Sequence, residues 1–432
     1  MKTEIRHVRA RAVWDSRGRP TVEAEVELAD GSVGRAIAPA GASVGSGEAL
    51  DLRDGGDALG GFGVDRAVGN VKGEIAAALA GHDAADQQAI DKLLTELDGT
   101  PQKSRLGGNA MVATSMAVLK SAAASAGLPL YLYLAQGRGM SVPLPQIQIF
   151  GGGSHAAGRV DIQDFLVVCP NAGSVADAFR KTAEVYRSAG ELMAAAGKRH
   201  GVADEGGWWP DFDSNEQVLD ALMRAIEGAG LMPGDDVFIV LDIAASEFGS
   251  KGRYTLGLER RTLDTDGLGE LLGRWIERYP IVSIEDPFAE DDEAGFRAFT
   301  AAYGHRVQIV GDDLLVTNAE RVKAAASKGL ATCVLLKPNQ AGTVSEAVAA
   351  LEAAREAGFA TIVSARSGES EDTTIAHLAT GWNAGQIKVG SMSRGERTAK
   401  WNELIRIEEA LAGSARFAGW EGLKIERRGA LR

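Results

Sequence analysis

The sequence has little of several features that mark special classes of protein. It contains only two cysteines, Cys169 and Cys333, each inside an apolar run, which argues against a disulfide framework and fits a reducing cytoplasm. Twelve prolines and 24% charged residues leave no segment with a disordered composition. No uncharged apolar run approaches the roughly 20 residues of a membrane helix, and the N-terminus lacks the apolar core of a signal peptide. We therefore expect neither secretion nor a membrane span.

Positive charge is also in short supply. The chain has 46 Lys and Arg residues against 59 Asp and Glu residues, which gives a formal net charge of −13. A nucleic-acid polymer must be met by a basic surface, so we do not expect one as a partner. A small anion needs only a local cluster of basic side chains, and the composition leaves room for that.

The pattern of side chains changes near residue 135, as expected for a chain of 432 residues with two or three domains. Residues 4–37 alternate apolar and polar side chains around an Asp-Gly turn, which predicts antiparallel strands in a hairpin. Helical periodicity follows, and residues 136–146 are rich in Gly and Pro, as is typical of a linker. We predict a small α+β capping domain over residues 1–135.

Beyond this linker, short β-branched runs alternate with amphipathic segments of helical length, which indicates parallel βα units. We predict an α/β fold whose (α/β)8-type barrel fills residues 136–432. Each of six runs ends in charged or hydroxylic residues, namely Asp242, Glu285, Asp312, Lys337, Arg366 with Ser367, and Lys388 with Ser391. Because the strands of such a barrel end on one face, a single pocket would collect these side chains.

The carboxylates in this series are suited to a hard cation. Asp242, Glu285 and Asp312 offer oxygen ligands with no His or Cys among them, which favours Mg²⁺ or Mn²⁺ over zinc. A structural cluster of salt bridges is the alternative interpretation. A lysine such as Lys337, placed beside a divalent cation and a second lysine, has its ammonium form disfavoured and can act as a general base. This combination suits removal of a proton α to a carboxylate.

Other polar residues are candidates for binding the rest of such a substrate. Arg366 and Ser367 supply a planar cationic fork and a hydroxyl, a good match to a phosphate or phosphonate group. His155 in "GGGSHAAG" is a third candidate contact, although a histidine in such a loop is more often a turn residue. Glu205 precedes two glycines in "VADEGGWWP", where a carboxyl group can approach a substrate as a general acid. The glycine-rich segment 38–50 is typical of a mobile lid.

These residues lie in segments that resemble the enolase family over nearly the whole chain. The matching segments include "DSRGRPTVEAEV", "GASVG", "GGSHA", "DEGG", "LDIAASEF", "SIEDPF", "VGDDLLVTN", "LLKPNQAGT", "RSGESEDTTIAHLA" and "SMSRGERTAKWNELIRIEEAL". The resemblance implies a small α+β domain, an (α/β) barrel and usually a homodimer. Enolase-superfamily sites use a Lys or His base with Mg²⁺. Family enzymes convert 2-phosphoglycerate to phosphoenolpyruvate.

The resemblance also implies a role for each candidate residue in a hydro-lyase reaction. Asp242, Glu285 and Asp312 would bind a first Mg²⁺, and Ser43 would help to hold a second. Lys337 would take the C2 proton of a glycerate with a phosphate on O2. Glu205 would assist loss of the C3 hydroxyl as an acid, and Asp164 would also be catalytic. Lys388 would contact the substrate carboxylate. The other substrate-binding residues would be His155, Gln163, Arg366 and Ser367.

The departures from the family pattern lie where the substrate is expected. Ala365 replaces a histidine, Gly151 replaces an asparagine, and Asp164 replaces a glutamate, which withdraws the carboxylate by roughly 1.5 Å. Val44 stands in "GASVG", and two tryptophans follow "DEGG". The first two changes predict an enlarged pocket beside the phosphate site.

An enlarged pocket predicts a specialised dehydratase whose substrate carries an additional group on phosphorus. Carboxyphosphonoenolpyruvate synthase of phosphonate antibiotic biosynthesis is such a relative, and its substrate is linked to a nucleotide. Trp208 and Trp209 would then stack on the base, or else pack in the core. An ordinary glycolytic enolase is the alternative, and a non-catalytic relative is a minor one. Racemisation or cycloisomerisation is disfavoured because no Lys-x-Lys pair precedes these strands.

Overall fold

The structure, a computed structural model, describes residues 1–42 and 44–426. The N-terminal part is a three-stranded antiparallel meander covered by helices, as its alternating pattern predicts. Gly34 allows a long, almost fully buried helix to lie directly on the sheet, because any side chain there would overlap the carbonyl of Ala117. The elements are β1 Ile5–Trp14, β2 Pro20–Leu28, β3 Val33–Ile37, α1 Asp65–Asn70, α2 Ala76–Leu79, α3 Gln87–Asp98, α4 Gly108–Ser125 and α5 Leu130–Ala135.

The second part is a closed eight-stranded barrel, which confirms the predicted fold class. Six of its strands are the six sequence runs identified above. They end on the face where the charged residues gather. The strands of this part are β4 Ser141–Val142, β5 Leu144–Gly151, β6 Asp164–Val168, β7 Phe238–Asp242, β8 Gly249–Ser250, β9 Arg253–Leu256, β10 Arg261–Asp264, β11 Ile281–Glu285, β12 Gln308–Gly311, β13 Cys333–Leu336, β14 Ala360–Ser364, β15 Gly385–Gly390 and β16 Arg416–Phe417. Around the barrel its eight strands follow the order β11-β12-β13-β14-β15-β5-β6-β7.

Helices connect most of the barrel strands and cover its outside. Several of these helices are capped at their N-terminus by a side chain that accepts a backbone N–H of the first turn. Examples are Ser174, Ser214 and Asn318. Among the described residues, no helix combines the length and apolarity needed to cross a bilayer. The helices are α6 Val175–Ala195, α7 Asn215–Gly228, α8 Thr265–Arg278, α9 Glu293–Tyr303, α10 Ala319–Lys328, α11 Pro338–Ala341, α12 Val344–Glu356, α13 Thr374–Gly381, α14 Gly395–Leu411 and α15 Gly419–Leu423.

The start of the barrel differs from the sequence prediction in two ways. The predicted linker 136–146 already contains β4 and the first residues of β5, which are buried. The barrel is also not wholly parallel, because β6 runs antiparallel to both β5 and β7. Residues 152–163 between β5 and β6 contain only a single 3₁₀ turn, Gly153–Ala156. Without a crossover helix in this connection the chain returns antiparallel.

Candidate active site

The ends of the barrel strands bring charged side chains into one pocket, as the sequence predicts. Asp242 and Glu285 are the last residues of β7 and β11, and these strands pair so that the two residues lie side by side. Asp312 and Lys337 follow the ends of β12 and β13 directly. Lys388 lies in β15, and all five residues are buried. Asp242, Lys337 and Lys388 line one cavity, and Glu285 and Asp312 lie directly behind it in contact with the two lysines.

The two lysines of the pocket are paired with these carboxylates. The Lys388 Nζ lies 2.7 Å from Asp242 Oδ2 and 2.7 Å from Glu285 Oε2. The Lys337 Nζ forms an ion pair with Asp312 Oδ2. Two lysines therefore face three carboxyl groups, and the two groups of ion pairs together involve five strands of the barrel, with Lys388 linking β15 to β7 and β11 and Lys337 linking the ends of β13 and β12.

Burial and the neighbouring charges set the protonation of this network. Burial raises the pKa of Glu285 well above its ordinary value, and the charge of Asp242 adds to the shift. Burial lowers the pKa of Lys388 and of Lys337, but the adjacent carboxylates more than offset it and leave both pKa values raised. The sequence predicts a disfavoured ammonium at Lys337. That prediction requires a bound divalent cation, because Asp312 and Glu285 favour the charged form and raise the pKa of Lys337.

The donor set fits a divalent cation such as Mg²⁺. Asp242, Glu285 and Asp312 present carboxylate oxygens and no nitrogen or sulfur ligand. The Glu285 Oε1 is buried and has no hydrogen-bond partner in the described part of the chain, which leaves a ligand atom available. Ser43, the predicted ligand of a second ion, lies outside the described residues.

A second buried group lies beside the first in the same pocket, because Asp164 of β6 is paired with Asp242 of β7. His155 Nδ1 lies 3.0 Å from Asp164 Oδ1, and its Nε2 lies 3.8 Å from Glu205 Oε1. Burial lowers the pKa of His155, but the charges of Asp164 and Glu205 outweigh it and raise the pKa to about 9. Burial raises the pKa of Asp164, but His155 outweighs it and lowers the pKa to about 2. His155 is therefore a cation at neutral pH.

Gln163 and Asp164 connect the two groups. The Gln163 Nε2 donates to Asp242 Oδ2 at 3.1 Å, so Gln163 contacts a predicted metal ligand. The Asp164 Oδ2 lies 3.6 Å from the Lys388 Nζ and has no hydrogen-bond partner among the described residues. The shorter side chain of Asp164 thus still reaches both His155 and the lysine.

The predicted phosphate contacts lie just beyond β14. The Arg366 guanidinium is buried and donates to Glu48 at 2.8 Å. The Ser367 hydroxyl is also buried and has no hydrogen-bond partner in the described chain, which is the condition expected of a group that binds a ligand. Both residues line the same cavity as His155 and Lys337.

Two buried cations that were not predicted from the sequence hold the backbone of the loop after β14. The Arg397 Nη1 donates to the carbonyls of Arg366 at 2.6 Å and Val389 at 2.8 Å. The Lys400 Nζ donates to the Ser370 carbonyl at 2.6 Å. Arg397 and Lys400 are three residues apart, so they lie on the same, buried face of α14. The sequence could have revealed them, because a charged side chain on an apolar helix face needs a partner.

The structure corrects part of the enlarged-pocket prediction. Ala365 does line the cavity, beside Arg366. Gly151 does not enlarge it, because a methyl group at this position would lie only 2.6 Å from the Ala203 Cβ. A neighbouring side chain therefore fills the space that the glycine leaves. The cavity that remains has a volume of about 20 Å³.

The tryptophans do not line this cavity. Trp208 stacks on Tyr186 with ring centroids 4.8 Å apart, and its Nε1 donates to the Tyr186 carbonyl at 2.8 Å. It also packs against the core. Trp208 thus has the packing role that the sequence analysis kept as the alternative to base stacking. Trp209 is half-buried, and its backbone N–H donates to Gly201. Val44 is 58% exposed.

The raised pKa of His155 predicts a pH dependence of stability. Because the pKa rises from 6.5 to about 9 on folding, the stabilisation is complete below pH 6.5 and is lost as pH rises through about 9. In chelator-treated protein, we expect wild type to lose on the order of 3 kcal/mol relative to His155→Gln between about pH 6 and pH 10. Denaturant unfolding measures this difference. Parallel pH curves for wild type and His155→Gln would contradict the assignment.

The fold agrees with comparisons to known proteins. The family model "Enolase, N-terminal domain" matches residues 5–134, and "Enolase, C-terminal TIM barrel domain" matches residues 139–426. The chain is 47% identical over 417 residues to Enolase 1 of Desulfitobacterium hafniense (strain Y51), covering 96% of this chain and 95% of that protein. The chain therefore belongs to the enolase family, and it is a hydro-lyase of the enolase type.

Proposed function

We propose that this protein removes water from a glycerate with a phosphoryl group on O2 and forms a phosphoenolpyruvate-type product. The observation that carries the proposal is the single buried cavity in which Lys337, Glu205 and Arg366 meet. A base, an acid and an anion-binding group are the elements that such an elimination needs. The organisation of the site around a carboxylate cluster supports the same chemistry.

The proton that leaves C2 would go to the Nζ of Lys337, which must first lose its own proton. Lys388, two strands further around the barrel, would hold the substrate carboxylate with its ammonium group. When bound by Asp242, Glu285 and Asp312, Mg²⁺, or Mn²⁺ in its place, supplies positive charge to the carboxylate as the C2 proton leaves. We expect two metal sites, with Ser43 at the second.

The hydroxyl on C3 would leave as water with a proton from Glu205, whose carboxylate must take up that proton from solvent before the step. Asp164 and His155 lie beside this acid, and the charge of His155 favours a developing negative charge at the leaving oxygen. His155 would at the same time contact the phosphoryl group with Arg366 and the unpartnered hydroxyl of Ser367. One proton thus leaves C2 and one proton reaches the hydroxyl, so the elimination is balanced.

The geometry supports a compact substrate better than an extended one. The space expected at Gly151 is occupied by Ala203, and the cavity that remains, about 20 Å³, has space for about one water molecule before a substrate enters. Trp208 is half-buried, stacks on Tyr186 and does not line the cavity, so it offers no stacking surface for a base there. We therefore propose 2-phosphoglycerate as the substrate, which replaces the specialised substrate favoured by the sequence.

An extended phosphoryl or phosphonyl substrate, as in phosphonate biosynthesis, stays a second candidate because of one observation. Ala365 presents a methyl group to the cavity directly before Arg366, where the family pattern has a histidine. A nucleotide-linked substrate would need space beyond this cavity. Cytoplasmic localisation and assembly as a homodimer or higher homo-oligomer also stay predictions, supported by the two buried free cysteines and by the resemblance.

The proposal predicts that purified protein with Mg²⁺ generates the absorbance of a new enol double bond from 2-phosphoglycerate. Lys337→Ala should reduce kcat at least about a hundredfold, because the general base is removed. Lys328→Ala, which removes an exposed lysine of α10, is the matched control and should be close to wild type. A folded, metal-loaded wild type without turnover would contradict the compact substrate and favour an extended substrate or a non-catalytic role.

Substitution of Ala365 separates the two candidate substrates. In a cavity this small, the imidazole of Ala365→His should overpack the site and raise KM for 2-phosphoglycerate about tenfold. The smaller Ala365→Ser should change KM little. If Ala365→His instead lowers KM, the wild-type pocket has space for a larger substrate and the second candidate gains support.

A further inference from the structure

A carboxylate from the N-terminal part lies directly on the proposed phosphoryl-binding arginine. Glu48 follows β3 in sequence, and its Oε2 accepts from Arg366 Nη1 at 2.8 Å. Its Oε1 lies 3.4 Å from Arg366 Nη2. Both side chains are 3% exposed. The contact therefore spans the two parts of the molecule and is shielded from water.

The loop that carries Glu48 is fixed against the same guanidinium at several points. The backbone of Gly41 packs on Arg366 so closely that any side chain at residue 41 would overlap Nη2. The N–H of Gly45 donates to Glu48 Oε1 at 2.9 Å, and the Gln102 side chain donates to the Glu48 carbonyl at 3.0 Å. Glu48 is thus held in place from its own loop as well as from the arginine.

Glu48 is also linked to the metal-binding carboxylates. The Gln340 Nε2 donates to Glu48 Oε1 at 3.2 Å and to Asp312 Oδ1 at 2.9 Å. The Gln340 Oε1 accepts from Thr317 Oγ1 at 2.6 Å, which fixes the orientation of the amide. The Gln340 amide therefore connects Glu48, which pairs with Arg366, to Asp312, which pairs with Lys337.

Two effects of Glu48 on phosphoryl binding oppose each other. Its charge partly neutralises Arg366 and repels a second anion. Glu48 also orders the Arg366 side chain before substrate binds. The loss of conformational entropy of this long side chain therefore does not weaken phosphoryl binding. A buried arginine without a carboxylate partner would in addition be unstable in this environment. The close, multiply anchored geometry favours orientation as the larger effect.

We propose that Glu48 is a positioning residue that holds the Arg366 guanidinium ready for the phosphoryl group. Through Gln340 it keeps this group at a fixed place relative to Asp312. The inference deepens the proposed function and rests on the phosphoryl-binding role of Arg366.

Binding of inorganic phosphate tests the inference without requiring turnover. By calorimetric titration with Mg²⁺ present, we expect Glu48→Gln to raise the phosphate Kd about tenfold relative to wild type. In turnover assays, KM for 2-phosphoglycerate should rise more than kcat falls. The matched control is Glu290→Gln, which removes a carboxylate that holds the same loop through the Ser46 N–H at 3.1 Å. This control should keep the wild-type Kd.

A double-mutant cycle shows whether Glu48 acts through Arg366. In an Arg366→Lys background, Glu48→Gln should change the phosphate Kd by less than about threefold, because the oriented fork is already absent. Equal effects in both backgrounds, or a Kd that is unchanged or lowered in Glu48→Gln, would overturn the inference. If Glu48→Gln does not fold, Glu48→Asp replaces it, and a wild-type Kd in that variant would overturn the inference too.

The same titration separates this inference from the proposed reaction. If the wild type binds phosphate but does not turn over 2-phosphoglycerate, the proposed reaction is wrong. The inference about Glu48 still holds in that case if Glu48→Gln weakens phosphate binding. A wild type that binds no phosphate would overturn the inference itself, whatever its turnover.

Discussion

Buried lysine–carboxylate pairing at one end of the barrel is the interaction on which the rest of the site depends. Isolated charges cannot be buried without a large cost in solvation, so each must have a partner or a ligand. Lys388 lies against Asp242 and Glu285, and Lys337 lies against Asp312. We propose that a divalent cation uses the same oxygens. A cation held there would compete with the lysines for the carboxylates and so leave the amines for the substrate.

Groups remote from the reacting atoms fix the geometry of this pocket. Arg397 holds the carbonyls of Arg366 and Val389 from one side, while Glu48 holds the guanidinium from the other. Asp286, which follows β11, accepts the backbone N–H groups of Asp312 and Asp313 and so shapes the turn after β12. The small N-terminal part is therefore a component of the site, because its loop contacts the barrel at the arginine.

The sequence predicted the barrel and its charged mouth because both follow from local rules. β-branched runs indicate strands, and a parallel strand that ends in a polar residue exposes that residue on one face. The antiparallel direction of β6 was missed because it depends on a connection without a helix. The pocket size was misjudged at Gly151, because only the fold shows that Ala203 occupies the space. Glu48 was missed because its partner lies in another part of the chain.

Diffraction from crystals grown with Mn²⁺ would locate the metal, because the ion scatters anomalously. We expect an anomalous peak coordinated by Asp242, Glu285 and Asp312, with the Lys388 ammonium displaced from the two carboxylates that it contacts in the metal-free structure. Full ion pairs between Lys388 and these carboxylates, with no peak between the three side chains at saturating Mn²⁺, would contradict this expectation.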